Sequence, residues 1–225
     1  FLYNILPNLA IMIRDYILFD GFTIIILINI LLITIAKSLN NSKFNYFLQI
    51  YLNNSFIKFN SNENNYLSSF NSLLNTNFII SSSLFISTLC FYNTFGNIGF
   101  EMFLYLKTLL YFILFIYSKY LLEIVIGWSF KIDKFVTTFN KQRNSFNKFI
   151  GIIIILLNSL TVYTFPNSLA FLKISIIIIV ILYIIGLYKT VRLNDNLVIP
   201  NMFYFILYLC TLEIMPILFI INELV

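Results

Sequence analysis

The chain alternates long, uninterrupted apolar runs with short polar stretches. The runs are too long for strands and too continuous for the one-sided helices of a water-soluble domain. Stretches near the 18-residue length needed to cross a bilayer as a helix lie at 17–36, 74–92, 102–127, 149–165, 169–188 and 202–221. The fourth and fifth are separated only by Pro166, Asn167 and Ser168, and a Pro-Asn turn between two apolar runs predicts a tight antiparallel helical hairpin. The expected fold is all-α: one integral membrane domain over 1–225, a polytopic transmembrane bundle of about six spans.

Two of the connecting segments carry a helical pattern of their own. In the first loop, Phe44, Phe47, Leu48, Tyr51, Leu52 and Phe56 recur at three- and four-residue steps beside Lys43 and Lys58. That spacing predicts an amphipathic interfacial helix with its apolar side down. Residues 60–75, mostly Ser and Asn, read as a connection with no hidden domain. The third loop repeats the device, with Ile132, Phe135, Val136 and Phe139 on one face among Lys131, Lys134, Lys141, Arg143 and Lys148. Each basic residue near an acidic leaflet contributes about 1 kcal/mol, so anionic lipid is the expected partner of this loop. Docking of a protein is the alternative.

Charge sets the orientation. Of the 14 Lys and Arg, ten fall in the first, third and fifth loops, and on the opposite side only Arg14 lies outside a span. The positive-inside rule therefore places loops one, three and five in the cytoplasm. Residues 1–20 do not read as a signal peptide, because Arg14, Asp15 and Asp20 interrupt the apolar run.

Composition narrows the chemistry further. The chain is 60% hydrophobic and 10% charged, against roughly 25% charged in a soluble domain. Its net charge of +5 is accounted for by topology, so nucleic acid is not an expected partner. Histidine is absent, which rules out a His-based triad, and Cys90 and Cys210 lie far apart in apolar runs. No metal site, cofactor or disulfide is expected from them; buried membrane thiols usually act as small packing residues. Gly96-Asn97-Ile98-Gly99 is a turn, and nothing matches a phosphate-binding loop.

Ionisable groups inside spans cost roughly 2.5–3.5 kcal/mol at the bilayer centre and so call for an explanation. Lys119 and Glu123 are four apart on the third span and share a face, which suits an interfacial salt bridge. Glu213 falls midway along the sixth span, three residues before Pro216, whose missing N–H opens the helix beside the acid. One reading gives Glu213 a structural role, paired with Lys119 or bonded to freed backbone. The other makes it a protonatable relay in a transporter or channel. Ser81, Ser82, Ser83, Ser87 and Thr88 on the second span suit close helix packing, or a polar pathway. Trp128, with Tyr117 and Tyr120, fits an interfacial aromatic belt.

The ending Phe203-Tyr204-Phe205-Ile206-Leu207-Tyr208-Leu209-Cys210-Thr211-Leu212-Glu213-Ile214-Met215-Pro216 resembles the terminal motif of a family of Bacteroidota membrane proteins known only as domain of unknown function 4271. Arg14 and Asp15 before the first span, the Lys37 exit, the Lys119 to Glu123 helix and Phe149-Ile150-Gly151 agree with it in order. Tyr16 stands where Trp is common in that family, and the Asn richness is unusual for it. The resemblance implies a polytopic protein of the bacterial inner membrane and carries no activity with it. The expected function is a non-enzymatic assembly or scaffold component of a membrane complex, with a membrane-protein partner or a second copy beside it; the alternative is a small proton-coupled transporter or channel using the midplane carboxylate.

Overall fold

The computed structural model of the chain describes residues 5–52, 69–96, 98–130, 133–165 and 168–193, with backbone alone for 5–19, 130 and 133–135. The described residues form six helices: α1 (Ile5–Leu39), α2 (Asn41–Leu48), α3 (Ser69–Phe95), α4 (Met102–Phe130), α5 (Asp133–Ser159) and α6 (Leu169–Leu193). Five of them hold segments long and apolar enough to cross a membrane: Asp20–Leu39, Ser69–Phe95, Met102–Ser129, Val136–Thr164 and Leu169–Leu193. The chain is an all-α, multi-pass membrane protein, and the first five expected spans are these helices. The expected sixth, 202–221, with Glu213 and Pro216, lies outside the described residues.

Helices α3 and α5 form the centre. The Lys148 ammonium donates to Asn71 Oδ1 at 3.2 Å and the Asn158 amide donates to the Ser81 carbonyl at 3.1 Å. The second pair lies ten residues beyond the first on both helices, so the two run side by side in the same direction. Gly151 permits their close approach: a Cβ there would stand 2.8 Å from the Phe78 Cα. Helix α1 runs antiparallel to α3, with Phe22, Ile25 and Ile26 near Leu84 in one apolar cluster and Ala36 near Phe70 and Leu74 in the other. The other flank of α3 is taken by α4, where the rings of Phe78 and Phe112 are 6.0 Å apart. Helix α6 returns along α5 as the hairpin turn requires, with Gly186 against Phe146 and Leu172 sharing a cluster with Val162.

Two elements differ in extent from the expectation. The amphipathic stretch of the third loop is not a separate helix, since α5 continues from Asp133 into the fourth span without a break. No proline interrupts those residues, so the helix has no reason to stop at the membrane surface. The first-loop helix is present as α2, capped by Asn40, whose Oδ1 accepts from Lys43 N at 2.9 Å. Its apolar side covers the end of the bundle: Phe44, Phe47 and the following Ile50 are buried with Ala36, Phe70, Leu74 and Phe146.

Candidate functional site

Lys43, Lys148, Lys189 and Arg192 gather at the end of the bundle where α1 and α6 finish and α3 begins, with Arg143 nearby at the start of α5. Much of this charge is turned inward. Arg143 Nη1 meets Glu123 Oε1 at 2.7 Å, with Glu123 wholly excluded from solvent and Arg143 12% exposed. Lys148 is buried and engages Asn71, and the buried Lys43 ammonium lies 5.5 Å from the centre of the Phe70 ring. The Lys189 ammonium donates to the Tyr51 carbonyl. The Tyr51 hydroxyl donates to the Leu182 carbonyl at 2.9 Å, and burial pushes that phenol above its ordinary range, so it stays a donor.

These placements correct the basic-loop expectation for two residues. Arg143 and Lys148 do not face lipid or a partner; they join α5 to its neighbours. The reason is helical phase. Lys148, Gly151, Ile155 and Asn158 follow one another at three- and four-residue steps, which puts Lys148 on the face that meets α3. Lys141 is partly exposed, the side chain of Lys134 and all of Lys131 lie outside the described residues, and Lys119 is half-buried one turn before Glu123 on α4.

Midway along the bundle is a second polar layer. It holds Asn29 on α1, Asn77, Ser81, Ser82, Ser83, Ser87 and Thr88 on α3, and Asn158 with Thr161 at the end of α5, all buried. The hydroxyls are satisfied locally: Ser81, Ser83, Ser87 and Thr88 donate to carbonyls three or four residues back, and Thr161 donates to the Asn158 carbonyl. Thr108 of α4 reaches the Ser83 carbonyl at 3.4 Å. The carboxamides are not all satisfied. Among the described residues, Asn77 has no hydrogen-bond partner at either side-chain atom, and Asn29 Oδ1, Asn158 Oδ1 and Ser82 Oγ also lack one. Immediately past Asn158 the helix widens into a π-turn over Leu160–Thr164, a distortion frequently found at functional sites.

The serines and Thr88 were legible in the sequence as a small-residue stripe. Asn29, Asn77 and Asn158 were missed, because the chain is rich in Asn throughout; Asn29 and Asn158 had a signal in position, each lying well inside an apolar run, whereas Asn77 follows Asn75 and Thr76 near the start of one. Among the described residues no group of three or more His, Cys, Asp or Glu could hold a metal ion.

No curated protein and no solved structure matches the chain. A family model described as a domain of unknown function, DUF4271, matches residues 22–224. That range runs from the buried Phe22 of the first span, through both polar layers, to the end of the Glu213-Ile214-Met215-Pro216 segment and beyond, and the chain belongs to this family.

Proposed function

We propose that the protein is a non-enzymatic platform of the bacterial inner membrane, a rigid helical body that holds a membrane-protein partner or a second copy of itself. The observation that carries this reading is how the buried polar groups near the basic end are used. Arg143 joins α5 to α4, Lys148 joins α5 to α3, and Tyr51 joins the segment after α2 to α6. Groups committed to cross-links hold helices in register and are not available for moving solutes. Around this core α4 presents Leu106, Leu110, Ile113, Leu114, Tyr117 and Leu121 outward, a surface suited to lipid or to another helix. Lys131, Lys134 and Lys141 of the third loop then favour an anionic cytoplasmic leaflet.

Purification in mild detergent followed by identification of what stays attached tests the proposal. A stoichiometric membrane-protein neighbour, or a stable homo-oligomer, is the expected result. A monomer carrying only a small molecule would overturn it.

A second reading, a small proton-coupled transporter, draws on the midplane acid Glu213 beside Pro216 and on the unsatisfied Asn77. It expects a proton flux in proteoliposomes that Glu213→Gln abolishes; intact vesicles with no flux above protein-free controls would remove it.

A further inference from the structure

The outward faces of the spans are not alike. On α6 the exposed residues between Ile174 and Ile185 are all isoleucine, which is all that lipid tails ask of a helix. On α4 the exposed positions Tyr111, Leu114, Ser118, Leu121 and Val125 follow one another at steps of three and four, which makes one stripe along the helix, and Tyr117 stands beside it. Tyr111 is 59% exposed and Tyr117 62%. Among the described residues neither phenol hydroxyl has a hydrogen-bond partner. The Ser118 hydroxyl donates to the Phe115 carbonyl at 2.9 Å, so its oxygen still has lone pairs to offer.

Depth is what makes these hydroxyls informative. Helix α4 has 29 residues and is about 43 Å long, so centred on a hydrocarbon core of about 30 Å it leaves only about one turn outside at either end. Tyr111 stands about 14 Å from its start and Tyr117 about 20 Å from its finish, which puts both inside the core. Helical side chains lean toward the N-terminus, and that carries the Tyr117 hydroxyl away from the headgroups at the nearer end. Lipid tails give such a group nothing to bond, whereas a neighbouring helix does. The stripe itself holds what is needed: phenols that donate, a serine oxygen that accepts, and at its centre the small Ser118, which lets a second backbone come close. A face with donors and an acceptor near one level, and with no formal charge from Tyr111 to Val125 to meet its like, is complementary to itself. We propose that this stripe is the docking surface for a second copy of the chain, α4 against α4 in parallel about a two-fold axis along the membrane normal. The inference rests on the platform reading and names its partner.

Disulfide cross-linking of the full chain in bacterial membranes, with Cys90→Ser and Cys210→Ser as background, tests the proposal. Oxidation should link Leu114→Cys and Leu121→Cys into dimers, because in a parallel pair each meets its own copy. Ile181→Cys, on the isoleucine face of α6, should stay monomeric. Tyr117→Phe removes a hydroxyl from each side of the pair and should loosen association by roughly fivefold to tenfold, read as energy transfer between labelled copies on dilution into lipid. Unchanged association in that variant would overturn the proposal. So would equal linking at all three positions, which random collision gives, or linking through Ile181→Cys alone; the platform reading would survive either. With no dimer at any position the α4 interface falls, and the platform reading stands only if another membrane protein is found attached.

Discussion

Glu123 is wholly buried, whereas the other described acids with known side-chain positions, Asp20 and Glu101, remain exposed. A carboxylate in that position is tolerable because the Arg143 guanidinium meets it at 2.7 Å. Removing one partner takes the 2.7 Å contact from a charge held where solvation is poor, and losses of this kind cost about 3–5 kcal/mol, far more than the net worth of the pair. Arg143→Met should therefore lower the unfolding midpoint sharply, while Glu123→Leu combined with Arg143→Met should recover most of the loss. Denaturant titration in detergent measures both, and a single variant as stable as the double would show that the pair carries no such role. The acid was legible in the sequence as an ionisable group inside an apolar run, but its contact with Arg143 was not. Local spacing points only to Lys119, four residues away on the same helix. Arg143 belongs to another helix, 20 positions along the chain, and only tertiary packing brings it there.

Among the elements, α5 departs furthest from what hydropathy alone suggests. Its charged first half and apolar second half read as a loop and a span, with the border near Phe149, because a window average cannot distinguish a solvated charge from one engaged by a neighbouring helix. In the structure the two halves are one helix. The apolar positions Val136, Phe139, Phe146, Ile150 and Ile154 are buried along its whole length, so the 3.6-residue period continued straight through the charged stretch. The hairpin of α5 and α6 was legible for the opposite reason, since only Pro166, Asn167 and Ser168 separate the two apolar runs in the sequence. Close packing of α5 on α3 turns on Gly151, where an added Cβ meets backbone, which cannot rotate away as a side-chain tip can. Gly151→Ala should force the two helices apart and cost about 1–3 kcal/mol, read as a lowered midpoint in the same titration. It should also weaken the Asn158 bond to the Ser81 carbonyl seven residues on. An alanine variant as stable as the parent would mean that the helices separate there without cost.

At the scale of the molecule the two ends are chemically unlike. One collects Lys37, Lys43, Lys148, Lys189 and Arg192, and the other is mixed, with the exposed acids Asp20 and Glu101, the exposed Lys107 and Lys173 and the left-handed Gly96 turn. A 29-residue helix such as α4 is about 43 Å long, longer than a hydrocarbon core of about 30 Å, so it must extend beyond the core into the headgroups. Glu123 lies 21 residues after Met102, about 32 Å along that helix, which puts the Arg143 pair close to the basic-side boundary. Five residues further toward that boundary the exposed Trp128 meets headgroups, where indole rings settle. The basic end is the one expected in the cytoplasm, and that assignment can be checked independently of any function. Alkaline phosphatase needs disulfides and therefore an oxidising compartment to become active. Fusions after Gly96 or Ser168 should be active in a bacterial host, and fusions after Leu52 or Leu193 inactive. The reverse pattern would invert the orientation, leaving the bundle intact but placing Lys141 and its neighbours against a leaflet that the charge argument did not choose.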